Sequence, residues 1–219
     1  MASATSADLR VDIISDVVCP WCIIGYRQLE EAALAVGKTL EVHWHPFELN
    51  PDMPAEGENL RDHVSRKYGS SAEESANARA SITGLGAELS FTFDFKSESR
   101  IVNTLQAHKL IKWADGKGRQ HDLKMALIRR YFSDGEDVSK VDVLLDAVNE
   151  LGLDLDEAQA VIDDDVLSKE TRQEEHFWHS KGISGVPSMV FEGQHLVTGA
   201  QGVENYKQIV LQLTSAPAK

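Results

Sequence analysis

The residues best suited to chemistry are two cysteines, Cys19 and Cys22, which are the only thiols in the 219-residue chain and are separated by Pro20 and Trp21. In a Cys-x-x-Cys pair, one thiolate can attack a disulfide and the second thiol can resolve the mixed disulfide that forms. Three other uses compete with this interpretation: half of a zinc site, two buried core residues, or one structural disulfide. Because no second Cys-x-x-Cys completes a zinc site and two cysteines cannot build a disulfide framework, redox chemistry is favoured.

The pair lies between a predicted strand and a predicted helix. Residues from Leu9 to Ile14 begin with alternating apolar and polar side chains, which is typical of a strand. Apolar residues then recur at helical spacing from Ile23 until Gly37, where a helix commonly ends. The first thiol therefore lies at a helix N-terminus, where free backbone N–H groups and the helix dipole stabilise a thiolate. Pro20 suits the first helical turn because its missing N–H is not needed there.

A second candidate feature is the segment from Gly185 to Ser188, just before a predicted β-hairpin. The hairpin joins strands at Met189 to Phe191 and at Leu196-Val197. Proline at the start of a strand needs no functional explanation, since it requires no ladder donor there. The functional interpretation is that Val186-Pro187 is a cis peptide whose unpaired backbone holds an extended substrate near the sulfurs.

The elements around these motifs predict an α/β chain. Leu40 to Trp44 alternates again, so the N-terminal part forms a βαβ unit with parallel strands. Helical patterns dominate from residue 58 to 181, and a ββα unit follows them. Since neither flank has enough strands for a stable sheet alone, we expect one four-stranded sheet. Within the helical block we expect one helix over Arg100 to Ala114 and a second from Leu123 to a stop at Ser133-Asp134-Gly135. A third helix covers Val141 to Leu151, with Ser139 as its N-cap, and a short fourth helix follows a capping box of Asp154 and Glu157. The last helix covers Asp165 to Ser180 and is opened by the run Asp163-Asp164-Asp165.

The motifs together resemble a known family. The run from Ile13 to Cys22 reads I-I-S-D-V-V-C-P-W-C and, with Gly185-Val186-Pro187, resembles the DsbA-like branch of the thioredoxin superfamily. Within that branch, the run P-F-E-L-N-P from Pro46 to Pro51 and the segment from Asn103 to His108 resemble the FrnE subfamily of dithiol-disulfide oxidoreductases. The resemblance covers nearly the whole chain and implies a thioredoxin fold, βαβ…ββα, with a large inserted α-helical domain.

We accordingly expect three segments: thioredoxin-fold residues 8–50, an inserted helical domain at 51–181, and the rest of the thioredoxin fold at 182–213. The resemblance implies Cys19 as the nucleophile, Cys22 as the resolving thiol and Pro187 as the cis-proline that faces them. Further candidates for substrate binding are Pro20, Trp21, Val186 and His108. Weaker candidates are His43, His45 and His121 as acid-base groups, and Trp44 and Phe47, with Trp21, as the lining of an apolar groove.

Departures from related proteins sharpen the functional prediction. The 2-hydroxychromene-2-carboxylate isomerases share the fold but use a serine and glutathione where Cys19 stands, so two retained thiols favour redox chemistry over glutathione-dependent isomerisation or transfer. Some FrnE-like proteins carry a second cysteine pair, which this chain lacks, so another molecule must complete each turnover. A non-catalytic, chaperone-like peptide-binding module is the third function considered. Because Trp21 replaces the histidine of periplasmic DsbA proteins, we expect a weaker oxidant.

Composition limits the partners. A formal net charge of −13 disfavours nucleic acid and anionic membranes. No apolar stretch approaches the roughly 18 residues of a membrane span, and Met1 to Asp8 lack the features of a secretory signal, so we expect a cytoplasmic protein. We expect no metal and no tightly bound cofactor, with glutathione as a candidate co-substrate. The expected partners are disulfide-containing proteins or small thiols and an external thiol reductant or oxidant. The direction of exchange and the oligomeric state, a homodimer included, stay open.

Overall fold

The computed structural model describes residues 7–215, so six of the residues considered for a secretory signal, 1–6, lie outside it. In chain order the elements are β1 (Leu9–Ser15), α1 (Pro20–Ala35), β2 (Leu40–Pro46), β3 (Glu58–Asn59), α2 (Leu60–Tyr68), α3 (Ala72–Glu88), β4 (Arg100–Ile101), α4 (Leu105–Asp115), α5 (Gln120–Arg129), a π-helical turn (Arg130–Asp134), α6 (Val141–Glu150), α7 (Leu155–Asp163), α8 (Asp165–Ser180), β5 (Ser188–Phe191), β6 (His195–Thr198) and α9 (Val203–Ser215).

The main sheet unites the two ends of the chain, as the sequence predicts. Its strand order is β2-β1-β5-β6. β1 and β2 are parallel, with Ile13 opposite Trp44, whereas β5 is antiparallel to both β1 and β6. The predicted fold class, an α/β thioredoxin fold with a helical insertion, is therefore confirmed. Both hairpin strands extend beyond their predicted limits, because the pairing between Ser188 and Thr198 continues the ladder.

Helices pack around this sheet and place the cysteine pair at its end. α1 begins immediately after Cys19, and Gly37 follows its end with a φ of 68°. α1 packs against α9, while α4, α5 and α8 contact β2. The side chain of Gln120 on α5 accepts from the backbone N–H of Trp44 at 2.9 Å and donates to its carbonyl at 3.1 Å. These two bonds pair the outer edge of β2 with the helical block.

Two local predictions in the helical block are wrong. The helix expected to start at Arg100 starts at Leu105, because Arg100 and Ile101 pair with β3 instead. Asn103 precedes the helix, and its side-chain oxygen accepts from the Leu105 N–H at 3.0 Å. Ser139 is not the N-cap of α6: Lys140 holds that position, and the Ser139 hydroxyl donates to Asp137 at 2.6 Å.

Other local predictions in the block are confirmed. α8 has the predicted bounds, and Asp164 is its N-cap, accepting from the Val166 N–H at 2.7 Å and from the Leu167 N–H at 3.2 Å. At α7, Asp154 is the N-cap and accepts from the Glu157 N–H, which is the first of the two bonds in the predicted capping box. None of the helices within residues 7–215 combines the length and apolar character needed to cross a bilayer.

Candidate active site

Cys19 is the N-cap residue of α1, with an extended backbone at φ −96° and ψ 111°, and Pro20 opens the helix. The Cys22 N–H closes the first turn by donating to the Cys19 carbonyl at 3.1 Å. No side-chain oxygen caps this helix end. The backbone N–H groups that a serine or aspartate would satisfy are therefore left for the sulfur, an arrangement that stabilises a thiolate.

The two thiols are free but lie in different surroundings. Cys19 retains 4% of its surface, whereas Cys22 retains none. Burial raises the pKa of Cys22 well above that of an ordinary thiol, and the hydrogen bond and charge of Cys19 raise it further. Cys19 is thus the more accessible of the two thiols, and the surroundings of Cys22 favour its protonated form.

The segment before β5 faces the pair. The Val186–Pro187 peptide is cis, and the Cys19 thiol lies 3.8 Å from the carbonyl oxygen of Val186. The carbonyl of Pro187 accepts from the Gly199 N–H at 2.8 Å, which ties the segment to β6. Pro187 also packs on Gly25 of α1, where an added Cβ would lie 3.1 Å from its Cγ. The geometry brings the Val186 carbonyl to Cys19, and the Val186–Pro187 peptide is cis, as the sequence predicts.

An apolar cleft of about 380 Å³ opens beside Cys19. Its walls come from the start of α1, from α2 and α3, and from the π-helical turn. Trp21 lines the cleft with 44% of its surface exposed, and Tyr68 lines it with most of its surface exposed. The remaining apolar walls include Val18, Leu49, Leu60, Val64, Ile82, Phe95, Ile101 and Phe132.

Three titratable side chains are buried near the pair. Asp16 and Lys124 retain 1% of their surface and His108 retains 2%; we call these three residues the buried polar cluster. Asp16 accepts from the Leu49 N–H at 2.8 Å and lies 3.4 Å from Nε2 of His108. Burial raises the pKa of Asp16, but His108, the Leu49 amide and Lys124 outweigh burial and hold it below its usual value.

Lys124 is the residue that sequence reasoning missed. Its Nζ lies 3.4 Å from the Ser15 carbonyl and 5.4 Å from the centre of the Trp44 ring. Burial lowers the pKa of Lys124 to about 8, against the opposing charges of Cys22, Asp16 and Cys19. A signal was present in the sequence, because Lys124 precedes the buried Leu127 and Ile128 by three and four residues and so shares their helix face.

The remaining histidine candidates lie away from the cleft. His108 is buried against Asp16 and is not among the cleft residues, so its predicted contact with substrate stays a prediction. His45 lies between Asp12 at 2.9 Å and Glu174 at 2.7 Å. His43 lies 3.0 Å from Glu41. His121 accepts from Trp44 Nε1 at 3.2 Å and lies 3.4 Å from the Tyr26 hydroxyl.

Two further predictions concern metals and the aromatic groove. Of the predicted groove residues, Trp21 lines the cleft, whereas Trp44 and Phe47 are buried. No cluster of metal-ligating side chains is found in the part of the chain that the structure describes.

A sheet of this topology, with a Cys-x-x-Cys pair opening its first helix and a proline segment facing the sulfurs, defines a thioredoxin-fold protein. The sequence model of the DSBA-like thioredoxin domain matches residues 10–210, and the chain belongs to this family. Members of the DsbA-like family are disulfide oxidoreductases.

Known proteins match along nearly the whole chain. The structure of a probable DsbA oxidoreductase from Streptomyces coelicolor is 29% identical, with a TM-score of 0.88, over 96% of this chain and 93% of that one. The uncharacterized protein YwbO of Bacillus subtilis (strain 168) is 24% identical over 92% of this chain and 96% of its own. The cytosolic disulfide reductase DsbM from Pseudomonas aeruginosa, in a structure with GSH, shares the fold at 16% identity and a TM-score of 0.67, over 95% of this chain and all of that one.

Proposed function

We propose that this chain is a thiol-disulfide oxidoreductase of the dithiol-disulfide isomerase type, with Cys19 as nucleophile and Cys22 as resolving thiol. The observation that carries the proposal is the position of Cys19. Its thiol lies at the uncapped N-terminus of α1, 3.8 Å from the Val186 carbonyl and on the wall of the apolar cleft. An extended chain that binds beside Val186 would bring its own sulfur to Cys19.

The exchange proceeds in two balanced steps. The Cys19 thiolate attacks one sulfur of a substrate disulfide, forming a mixed disulfide and releasing the other substrate sulfur as a thiolate. Cys22 then loses its proton and attacks the Cys19 sulfur, which forms the Cys19–Cys22 disulfide and releases the second substrate thiolate. Two electrons pass to the substrate. An external thiol must supply two electrons to reduce the Cys19–Cys22 disulfide again, because the sequence contains no further cysteine.

The cleft supports a polypeptide substrate. Its walls are mainly aliphatic and aromatic, and burying such surface on binding is worth about 25 cal/mol per Å² of apolar area. A cysteine flanked by apolar residues, as exposed in an unfolded chain, matches this surface. We propose glutathione as the small thiol that resets the pair, and a cytoplasmic location in which such a thiol is abundant; a structural neighbour that is a cytosolic disulfide reductase, in a structure with GSH, supports both ideas.

Two assays test the proposal: reduction of insulin disulfides with glutathione as electron donor, and refolding of scrambled ribonuclease. We expect the wild type to be active and Cys19→Ser to be inactive in both. Cys22→Ser should accumulate a mixed disulfide with substrate, which mass spectrometry of acid-quenched samples detects. A wild type that is inactive in both assays would overturn the proposal.

The same variants separate the alternatives. A chaperone-like module would still suppress aggregation of an unfolded client after Cys19→Ser, with no exchange in the wild type. A glutathione-dependent isomerase would retain its activity in Cys19→Ser, since the related isomerases carry serine there.

A further inference from the structure

The apolar cleft beside Cys19 holds one permanent positive charge. Arg79 on α3 is among the residues that line it, and none of its lining residues within 7–215 is an aspartate or a glutamate. The whole chain, in contrast, has 35 acidic residues against 22 lysines and arginines. The cleft therefore offers an anion a local attraction that the protein as a whole does not.

Arg79 has no carboxylate to balance its charge. One of its terminal nitrogens, Nη1, donates to the Ser75 hydroxyl at 2.6 Å, and no salt bridge to Arg79 is found among the residues that the structure describes. Arg66 on the neighbouring helix α2 donates instead to both oxygens of Glu58, at 3.0 and 2.6 Å. Nδ1 of His63, the histidine that lines the cleft, also lies 2.8 Å from Glu58. Arg79 is thus the cation of the cleft whose charge stays unpaired.

The remaining donors of Arg79 are open to solvent. A guanidinium carries five N–H donors, and Ser75 accepts from only one of its nitrogens. No nitrogen of Arg79 is both fully buried and unpartnered within residues 7–215, so those without a partner keep contact with water. The side chain is partly buried, and burial, followed by the charge of Arg61, lowers its pKa. Because arginine stays protonated at physiological pH, the cleft holds an incompletely solvated cation.

The sequence of α3 places this cation. A glutamate four residues before an arginine forms an ion pair along a helix, but Ser75 occupies that position. Ser75 is buried, and its hydroxyl holds the Arg79 guanidinium on the helix face that lines the cleft. Glu74, the nearest acid before Arg79, accepts from the Ser71 N–H in the capping box of the helix. The helix therefore orients the arginine and leaves its charge for another partner.

We propose that Arg79 forms a subsite for a carboxylate of the substrate, so that the protein prefers disulfides that carry a carboxylate close to the reactive sulfur. This inference rests on the proposed function and specifies the substrate class that the cleft selects. Cys19 and Arg79 line one cleft of about 380 Å³. Such a volume is typical of small-ligand sites, so a short segment that fills the cleft meets both residues. The planar guanidinium can donate two parallel hydrogen bonds to a carboxylate.

The apolar walls of the cleft strengthen such a pair. Ala78 and Ile82 of the same helix line the cleft together with Arg79. Carbon walls exclude water from the contact, and the attraction between opposite charges rises as the effective dielectric constant falls. The uncharged part of the ligand meets the aliphatic and aromatic walls, so charge and apolar contact act on different parts of one substrate.

Two sources can supply the carboxylate. A small thiol such as glutathione carries two carboxylates, and a polypeptide carries one wherever an aspartate or a glutamate lies near a cysteine. Both present the same group to the guanidinium, so the experiment has one arm for each source. The first arm compares glutathione disulfide with the disulfide of glutathione diethyl ester. The second compares peptide disulfides with glutamate or glutamine within two residues of the cysteine.

Rapid-quench mass spectrometry gives the rate constant for mixed-disulfide formation in the wild type and in Arg79→Met, which keeps an unbranched side chain but removes the charge. Hydroxyethyl disulfide is the uncharged reference. We expect Arg79→Met to slow the carboxylate-bearing disulfide of at least one arm about tenfold, and its uncharged counterpart less than about threefold. Arg79→Lys, which keeps the charge without the planar fork, should lose less than Arg79→Met.

Arg61→Met is the matched control. The charge of Arg61 acts on Arg79, but Arg61 does not line the cleft. Its removal should change every rate constant less than about threefold. An equal loss of carboxylate preference in Arg61→Met would reduce the effect to the general field of the helices and overturn the subsite.

The remaining outcomes also decide the proposal. A loss in one arm identifies the source of the carboxylate, and a loss in neither overturns the subsite. Equal slowing of charged and uncharged disulfides in Arg79→Met would mean that Arg79 acts on the Cys19 sulfur, which also overturns it. If the wild type forms no mixed disulfide even with hydroxyethyl disulfide, the proposed function fails, and binding alone then decides the subsite.

A binding measurement on the wild type needs neither exchange nor a folded variant. S-methylglutathione and S-methylcysteine peptides cannot exchange, and the ¹⁵Nε resonance of Arg79 reports on its contacts. We expect a saturable shift of this resonance with S-methylglutathione or with the glutamate peptide, and none with the diethyl ester or the glutamine peptide. An Arg79 resonance that does not move with either carboxylate ligand would overturn the proposal.

Discussion

The cysteine pair separates two regions of opposite character. On the Cys19 side the apolar cleft is open and lined mainly by carbon, with the exposed Trp21 and Tyr68 on its walls. On the Cys22 side the buried polar cluster of Asp16, His108 and Lys124 is closed to bulk solvent. The cleft and the buried polar cluster thus lie on different sides of the cysteine pair, so a mutation can alter one while leaving the other intact. This contrast makes each region testable by itself.

The largest expected change in the free energy of unfolding is that of Asp16→Ala. This change leaves the Leu49 N–H without its acceptor and Lys124 without a neighbouring negative charge. We expect a loss of about 2–4 kcal/mol in the free energy of unfolding, measured by urea denaturation. Asp16→Asn keeps an oxygen for the Leu49 N–H and should lose less.

The pH dependence of the stability lost in Asp16→Ala tests whether the Asp16 carboxylate is its cause. Because the folded-state pKa of Asp16 lies below its usual value, its contribution is present above the unfolded pKa of about 4 and disappears as pH falls through the folded pKa. The difference between wild type and Asp16→Ala should therefore be constant at neutral pH and shrink only in acid. Equal stability of the two proteins at pH 7 would show that the cluster is not coupled to folding.

Gly25→Val tests the boundary between the two regions. A Cβ at this position would lie 3.1 Å from Cγ of Pro187, 3.4 Å from Cε of Met189 and 3.5 Å from the backbone of Ala200. Valine adds two methyl groups to this contact, so we expect a loss of about 1–3 kcal/mol in unfolding free energy. Displacement of Pro187 should also slow insulin reduction. Gly84→Val, on α3 with open space around it, is the control, and a similar loss of exchange activity there would contradict the packing argument.

Glu175→Gln tests the Cys22 side of the molecule through the pH dependence of the unfolding free energy. Burial, followed by the charges of Glu48 and Asp16, raises the pKa of Glu175 to about 8, and its Oε1 has no hydrogen-bond partner within residues 7–215. Between the unfolded pKa and about pH 8 the folded state binds the extra proton, so wild-type stability falls as pH rises. After allowance for solvent screening, the variant should exceed the wild type by about 1–3 kcal/mol at pH 8 and by little at pH 5.

The neighbouring residue is a matched control for that prediction. Glu174 pairs with His45 and Lys112, and these contacts outweigh burial and lower its pKa. Glu174→Gln should therefore reduce stability at pH 8, the opposite sign. Urea denaturation of the three proteins at both pH values gives the comparison, and a Glu175→Gln curve that follows the wild type at pH 8 would contradict the argument.

The sequence predicts the local elements of the fold better than its long-range contacts. α1 and α8 follow from apolar spacing and end signals that lie within the segments themselves. Arg100 and Ile101 continue a helical pattern, yet they form the strand β4. They do so because they pair with Asn59 and Glu58, which lie about forty residues earlier in the chain. Pairing of this kind depends on tertiary structure, which periodicity does not report.

The candidate site likewise has residues that the sequence predicts and residues that only the packed structure reveals. Cys19, Cys22 and Pro187 are recognisable from motifs, since their chemistry depends on residue type and spacing. The apolar cleft depends on how α2 and α3 fold back over the start of α1, and the burial of Lys124 depends on α5 packing against β2. A lysine in a helical pattern is normally a solvated residue, so only the packed structure reveals it behind the cysteines.

The smallest effect is expected on the cleft side, from Trp21→Ala. Trp21 is 44% exposed, so its removal should change the unfolding free energy by no more than about 0.5 kcal/mol. The lost apolar wall should raise KM for a peptide disulfide flanked by leucine or phenylalanine about three- to tenfold. The rate with hydroxyethyl disulfide should stay unchanged, since that probe is too small to use the wall. Phe177→Ala removes another half-exposed aromatic residue outside the cleft and should affect neither substrate. If Trp21→Ala slowed both substrates equally, Trp21 would act on Cys19 itself, and the division between substrate contact and sulfur chemistry would not hold.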